Sequence, residues 1–329
     1  MFKNSLFGFW DLLKQTGKGF IKDDVPKLSA SLAYYTIFSL GPMLIVIIFL
    51  ANIFWHEEAV EGRIFAQIKN LVGEDVAFQV QEIIKNASIN GNNLWTAVIG
   101  FVTLLIAATT VFAEIQDSIN TIWKLKLKPE GGWLLMLKTR VLSFSLVVSL
   151  GFLLLVSLVI NALVEGLMDR LTEVFPEIAV VVVYLANIVI TIIITSLLFA
   201  IIFKVLPDAI IRWRDVTVGA LFTAVLFMIG RYAISLYIGS ANVATAYGTA
   251  GSLVVLLLWI YLSSMILYSG AEFTKFYAVK YGSEICPDKH AYIYQTVNVV
   301  SNKPTVQENE NDLERTEVEL QKAKDKLDG

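Results

Sequence analysis

The chain has 329 residues, 56% of them hydrophobic and 17% charged, with a net charge of -3 and a mean hydropathy of +0.65. A soluble domain carries about 25% charged residues; here the charges also cluster between long apolar runs, so the composition reads as an integral membrane protein. One cysteine, Cys286, excludes an internal disulfide framework, and two distant histidines, His56 and His290, are too few for a zinc site or a multi-histidine metallohydrolase.

Residues 1–25 mix aromatics with lysines, as in FKNSLFGFWDLLKQTGKGFIK, and read as an amphipathic arm lying along the cytoplasmic interface, where it meets anionic lipid. No cleavable signal peptide is expected, since the first long apolar run starts well inside the chain and is too long for a signal h-region. Asp23-Asp24-Val25-Pro26 reads as a cap and a first-turn proline opening a long helix.

Six segments, 32–54, 94–113, 141–164, 178–203, 216–238 and 250–271, are apolar and long enough to span a bilayer as helices. They predict an all-α, six-helix transmembrane domain over 26–280. The first begins with the small residues Ser29, Ala30, Ser31 and Ala33, suited to close helix packing. Pro42 removes a backbone donor and is expected to kink or break the helix near Ser39, either as a structural bend or as a cavity lining. Residues 56–90 form an acidic connection with two short amphipathic helical patterns.

At the end of the second segment Glu114, Asp117 and Asn120 stand three apart, on one helical face. They read as a solvated helix end or as an acidic inner gate facing Lys204, Arg212 or Arg214. Arg231 lies past the middle of the fifth segment; it either snorkels outward or faces inward to pair with Glu165, Glu57 or an anionic substrate. The uncharged loop 239–251, with Tyr247, reads as an external connection able to dip inward. Glu272 closes the sixth segment, where pairing with a neighbouring basic residue is expected. Residues 281–329 read as a charged, largely disordered tail.

Of the 26 Lys and Arg residues, 21 fall on the arm, the second and fourth connections and the tail. The positive-inside rule therefore puts both termini in the cytoplasm. No GxxxxGK[ST], GxGxxG, HExxH or paired CxxC motif is present. Ser39 has no histidine nearby to act as its base, so no catalytic residue, cofactor or metal is assigned and no enzyme is expected.

Four stretches together resemble a known family. LAYYTIFSLGP, DSINTIW, LPDAIIRWRDVTVGALFTAVLF and YGTAGSLVVLLLWIYLSSMILYSGAEF are similar, in order, to the signature boxes of the YihY/BrkB family of bacterial inner-membrane proteins. The resemblance covers roughly residues 20–280 and implies six helices with both termini inside. That family has carried the label "ribonuclease BN", but a zinc-dependent ribonuclease needs ligands this chain lacks, and no nucleic-acid partner is expected. Two functions are carried forward. One is transport or handling of an anionic or amphipathic small molecule or lipid, over a pathway of Ser39, Pro42, Glu114, Asp117, Asn120, Arg231, Tyr247 and Glu272. The other is a membrane scaffold that binds partners or anionic lipid through its cytoplasmic face.

Overall fold

The computed structural model describes residues 2–54, 94–128, 176–240, 251–295, 304–305 and 307–308. Those residues are mostly helical. In chain order they form α1 (Phe2–Lys22), α2 (Val25–Phe54), α3 (Leu94–Trp123), β1 (Leu125–Leu127), α4 (Pro176–Val205), β2 (Ala209–Ile210), α5 (Trp213–Ser240), α6 (Gly251–Tyr281), β3 (Cys286–Pro287) and β4 (Ala291–Ile293). Three stretches are long and apolar enough to cross a membrane: Ile188–Val205 of α4, Trp213–Ile234 of α5 and Leu253–Tyr281 of α6. The first two apolar segments of the sequence fall on α2 and α3, which are 30-residue helices. The third, 141–164, and the helices expected within 56–90 lie outside the described residues.

The outward faces fit a lipid solvent. Val189, Ile193 and Leu197 expose one stripe of α4, and Leu221, Val225, Ile229, Tyr232 and Leu236 expose one of α5. Each stripe follows the three-to-four residue spacing of a single helical face, and water would penalise such areas heavily.

The core gathers where α2, α3, α4, α5 and α6 meet, around Val25, Leu32, Ile119, Ile122, Phe203, Val216 and Tyr268. Helix α2 packs along α3 and α6, α5 along α4 and α6, and α1 along α6. Ser29 and Ala33 are buried on α2, as the small-residue pattern predicts, while Ala30 faces out.

Helices α5 and α6 interlock through glycine and threonine. A side chain at Gly219 would overlap Thr274, and one at Gly270 would overlap Thr223. Each threonine donates its hydroxyl to the glycine carbonyl one turn back on its own helix, Thr223 to Gly219 and Thr274 to Gly270, both at 2.7 Å. The polar groups are thus satisfied internally, and each threonine side chain sits over bare glycine backbone.

The structure differs from the sequence reading in two places. Pro42 does not end its helix: α2 runs unbroken from Val25 to Phe54. A proline costs one rung of the ladder, and one missing rung is tolerated inside a long apolar helix. Residues 286–293, expected in the tail, form strands instead: β4 pairs antiparallel with β1 and β3 with β2. These two ribbons add local β structure to the expected all-α architecture. Helix α1, the expected amphipathic arm, is held against the bundle. It docks on α6 through an Asp11–Lys280 ion pair and a Phe9–Phe273 edge contact. Residues 1–293 form one compact unit and 294–329 a second; in the latter the amide of Glu308 bonds the Thr305 hydroxyl.

Candidate functional site

Two polar clusters lie at the end of the bundle where α1 turns into α2 and α3 runs out. The first is built on two tight reversals. Asp23 closes α1 by donating its amide to Gly19 carbonyl at 2.8 Å, and Asp24 turns the chain with φ 51°. The Asp24 carbonyl accepts from Lys27 and Leu28, so α2 starts at once and Pro26 sits where no donor is needed. At the end of α3, Lys124 takes φ 59° and swings the chain into β1. These left-handed residues bring an acid and a base together: Lys124 Nζ lies 2.7 Å from Asp23 Oδ1.

Lys275 of α6 completes the cluster, 3.2 Å from Asp23 Oδ2 and 3.3 Å from Glu272 Oε2. Glu272 has no solvent exposure. Its side chain lies against the α1 backbone at Gly19, where any Cβ would overlap its carboxyl carbon. Glu272 Oε1 is buried with no hydrogen-bond partner among the described residues. Burial pushes the Asp23 carboxyl up. The hydrogen bonds from Lys124 and Lys275, with the Lys275 charge, outweigh it and hold Asp23 below the usual carboxylate range.

The second cluster joins α3 to the α4–β2 link. Asp208 accepts from Asn120 Nδ2 at 2.6 Å and from Gln116 Nε2 at 3.0 Å. Its amide donates to Asn120 Oδ1 at 2.9 Å, and its carbonyl accepts from Asp288 at 3.0 Å. Nearby, Trp123 Nε1 donates to the Ala271 carbonyl of α6 at 3.0 Å. One turn of α3 therefore holds both neighbours.

The expected site residues divide accordingly. Glu272 is buried beside the basic residue Lys275, as its position predicts. Asn120 is buried and bound to an acid rather than to the expected Lys204, Arg212 or Arg214. Lys204 donates instead to the Ile211 carbonyl. Glu114 is half-buried and Asp117 exposed, so the three-residue offsets place Asn120 and Asp117 in different surroundings. Ser39 is half-buried and bonds the Thr36 carbonyl at 2.7 Å. Arg231 is exposed on α5. Its expected partners Glu165 and Glu57, and Tyr247, lie outside the described residues, and so does the side chain of Pro42.

Sequence reasoning missed Asp208, Gln116, Lys275 and the pairing role of Asp23. The chain signal for Asp208 was the LPD step between two long helices. It also missed the buried hydroxyls of Ser118 and Tyr268, which have no hydrogen-bond partner among the described residues. Among those residues no group of three His, Cys, Asp or Glu side chains is placed to hold a metal.

Long lipid-compatible helices with a charged cluster at one end define a helical membrane protein. Residues 16–292 match the family model described as Virulence factor BrkB, and the chain belongs to that family. It is 28% identical over 256 residues to a UPF0761 membrane protein of Ralstonia nicotianae, covering 76% of this chain and 55% of that one. It is 29% identical over 263 residues to a UPF0761 membrane protein of Delftia acidovorans, covering 78% and 60%. A UPF0761 membrane protein of Pseudomonas paraeruginosa is 26% identical over 258 residues, covering 77% and 59%. The chain thus spans less than two thirds of the length of these relatives. No solved structure matches it.

Proposed function

We propose that the chain is a membrane transporter for an anionic or amphipathic molecule. The observation that supports this most is a polar seam inside an apolar bundle. Ser29 of α2, Ser118 of α3 and Tyr268 and Glu272 of α6 are all buried, and each has a polar atom without a hydrogen-bond partner among the described residues. Such groups cost free energy in lipid unless a pathway or a bound species uses them. The seam leads to the lysine-bearing cluster at the end of the bundle, and Arg231 supplies a permanent cation further along α5.

The test is thiol accessibility. With exposed Cys286 replaced by Ser, single cysteines at Ser118 and Ser39 are treated with a membrane-impermeant thiol reagent in inverted vesicles and in intact cells. Reaction at Ser118 from one side supports a water-filled path. Ser118→Cys that stays unreactive from both sides, while Asp117→Cys reacts, rules the path out.

One observation favours a second reading, a scaffold binding anionic lipid. The outward face of α1 carries exposed Trp10, Lys14, Lys18, Ile21 and Lys22, a lipid-interface pattern. Each lysine near an anionic surface contributes about 1 kcal/mol. Replacing Lys14, Lys18 and Lys22 by Gln leaves the docked face of α1 intact. On the scaffold reading it abolishes activity in cells while Arg231→Ala does not; the transport reading expects the opposite.

A further inference from the structure

We propose that Glu272 is the proton-carrying group of this protein, a role in the transport cycle that rests on the reading above. The geometry supplies what such a group needs. The carboxyl is sealed from solvent within α6, yet it lies beside the Asp23 carboxylate at the α1–α2 turn. One oxygen touches Lys275 and the other touches no partner among the described residues.

An ionised carboxylate with an unsatisfied buried oxygen is unfavourable. A neutral carboxyl there demands less of its surroundings, and it can donate to Asp23. Among the described residues, Lys275 of its own helix touches Glu272, the same ammonium reaches Asp23, and Lys124 at the end of α3 stands behind Asp23. Helix α1 brings the Gly19 backbone against the carboxyl, and the Phe276 ring lies alongside. Helix α5 meets α6 on either side of Glu272 through Gly219 and Thr223, which carry no charge.

The step balances simply. Glu272 releases its proton to the Asp23 carboxylate, and Asp23 releases it to water at the end of the bundle. The four groups then pass from one net positive charge to none. With both carboxylates ionised, Lys275 holds them together. With Glu272 neutral, the repulsion between the two carboxyls is gone, Lys275 compensates Asp23 alone and Glu272 can donate to Asp23, so the contact between α6 and the α1–α2 turn tightens. The same proton therefore sets the strength of the clamp.

The experiment is infrared difference spectroscopy of the whole protein in lipid, taken between acidic and alkaline buffers. The expected result is a protonated-carboxyl C=O band that disappears as pH rises, is missing in Glu272→Gln and persists in Asp117→Asn. Lys275→Met extends the band to more alkaline buffer, because it removes the cation that favours the ionised form. Asp23→Asn shifts it the other way. A wild-type protein without a titrating band, or an unchanged band in Glu272→Gln, overturns the proposal. If Glu272→Gln does not fold, the band of wild type against Lys275→Met decides: no displacement overturns it. Failure of the transport reading is seen separately, as an unreactive Ser118→Cys in a protein whose carboxyl still titrates.

Discussion

Lys124 performs two tasks that pull against each other. Its left-handed backbone turns α3 into β1, a conformation that costs a non-glycine residue about 1 kcal/mol, and its ammonium pairs with Asp23. Lys124→Gly should relieve the backbone and lose the ion pair. Lys124→Met should keep the strain, lose the same pair and be the less stable variant in thermal unfolding. Asp23 gives the sign of the pH response. Its carboxyl is held below the ordinary value of 3.8 in the folded state, so its contribution is complete above that value and is lost as pH falls through the lower, folded one. Asp23→Asn should cost about 2 kcal/mol at neutral pH, the scale of hydrogen bonds to a charged group, and should flatten the acid limb of the unfolding curve. Asn120→Ala leaves the Asp208 carboxylate and amide short of partners. It should cost about 1–3 kcal/mol, measured as a lower thermal midpoint, whereas Asp117→Ala on the exposed side of the same turn should change little.

Among the elements, the long helices were legible because lipid allows few alternatives: a run of apolar residues in a bilayer must satisfy its own backbone. The start of α2 was equally plain, since Asp23-Asp24-Val25-Pro26 encodes its turn locally. What could not be read were pairings between distant residues. Asn120 and Asp208 are 88 positions apart, and Asp23 and Lys275 are 252 apart. Spacing along one helix places a side chain on a face but does not say which neighbour faces it, so Asn120 was matched to the basic residues instead of to Asp208. Three-residue strands such as LKL and AYI carry too little alternation to stand out beside helices of 30 residues. The Gly–Thr contacts make an element-level prediction. Gly270→Val forces a branched side chain into Thr223 and should lower stability by about 1–3 kcal/mol, the usual cost of overpacking. Thr223→Ser keeps the internal hydrogen bond and should be close to neutral.

Across the whole molecule, the two compact pairings divide the labour. Helices α2 and α3 meet α6 through a seam containing polar atoms that have no hydrogen-bond partner among the described residues, while α5 meets α6 through backbone, methyl groups and satisfied hydroxyls. The second kind of contact resists sliding, because moving either helix by one residue drives a threonine into backbone. On the transport reading proposed above, helices α5 and α6 would travel as one rigid lever. On that reading the lever would turn against the α2–α3 side, with the cluster of Asp23, Lys124, Lys275 and Glu272 as its catch. A cross-link between α5 and α6 should leave the stroke free, and one between α3 and α6 should arrest it.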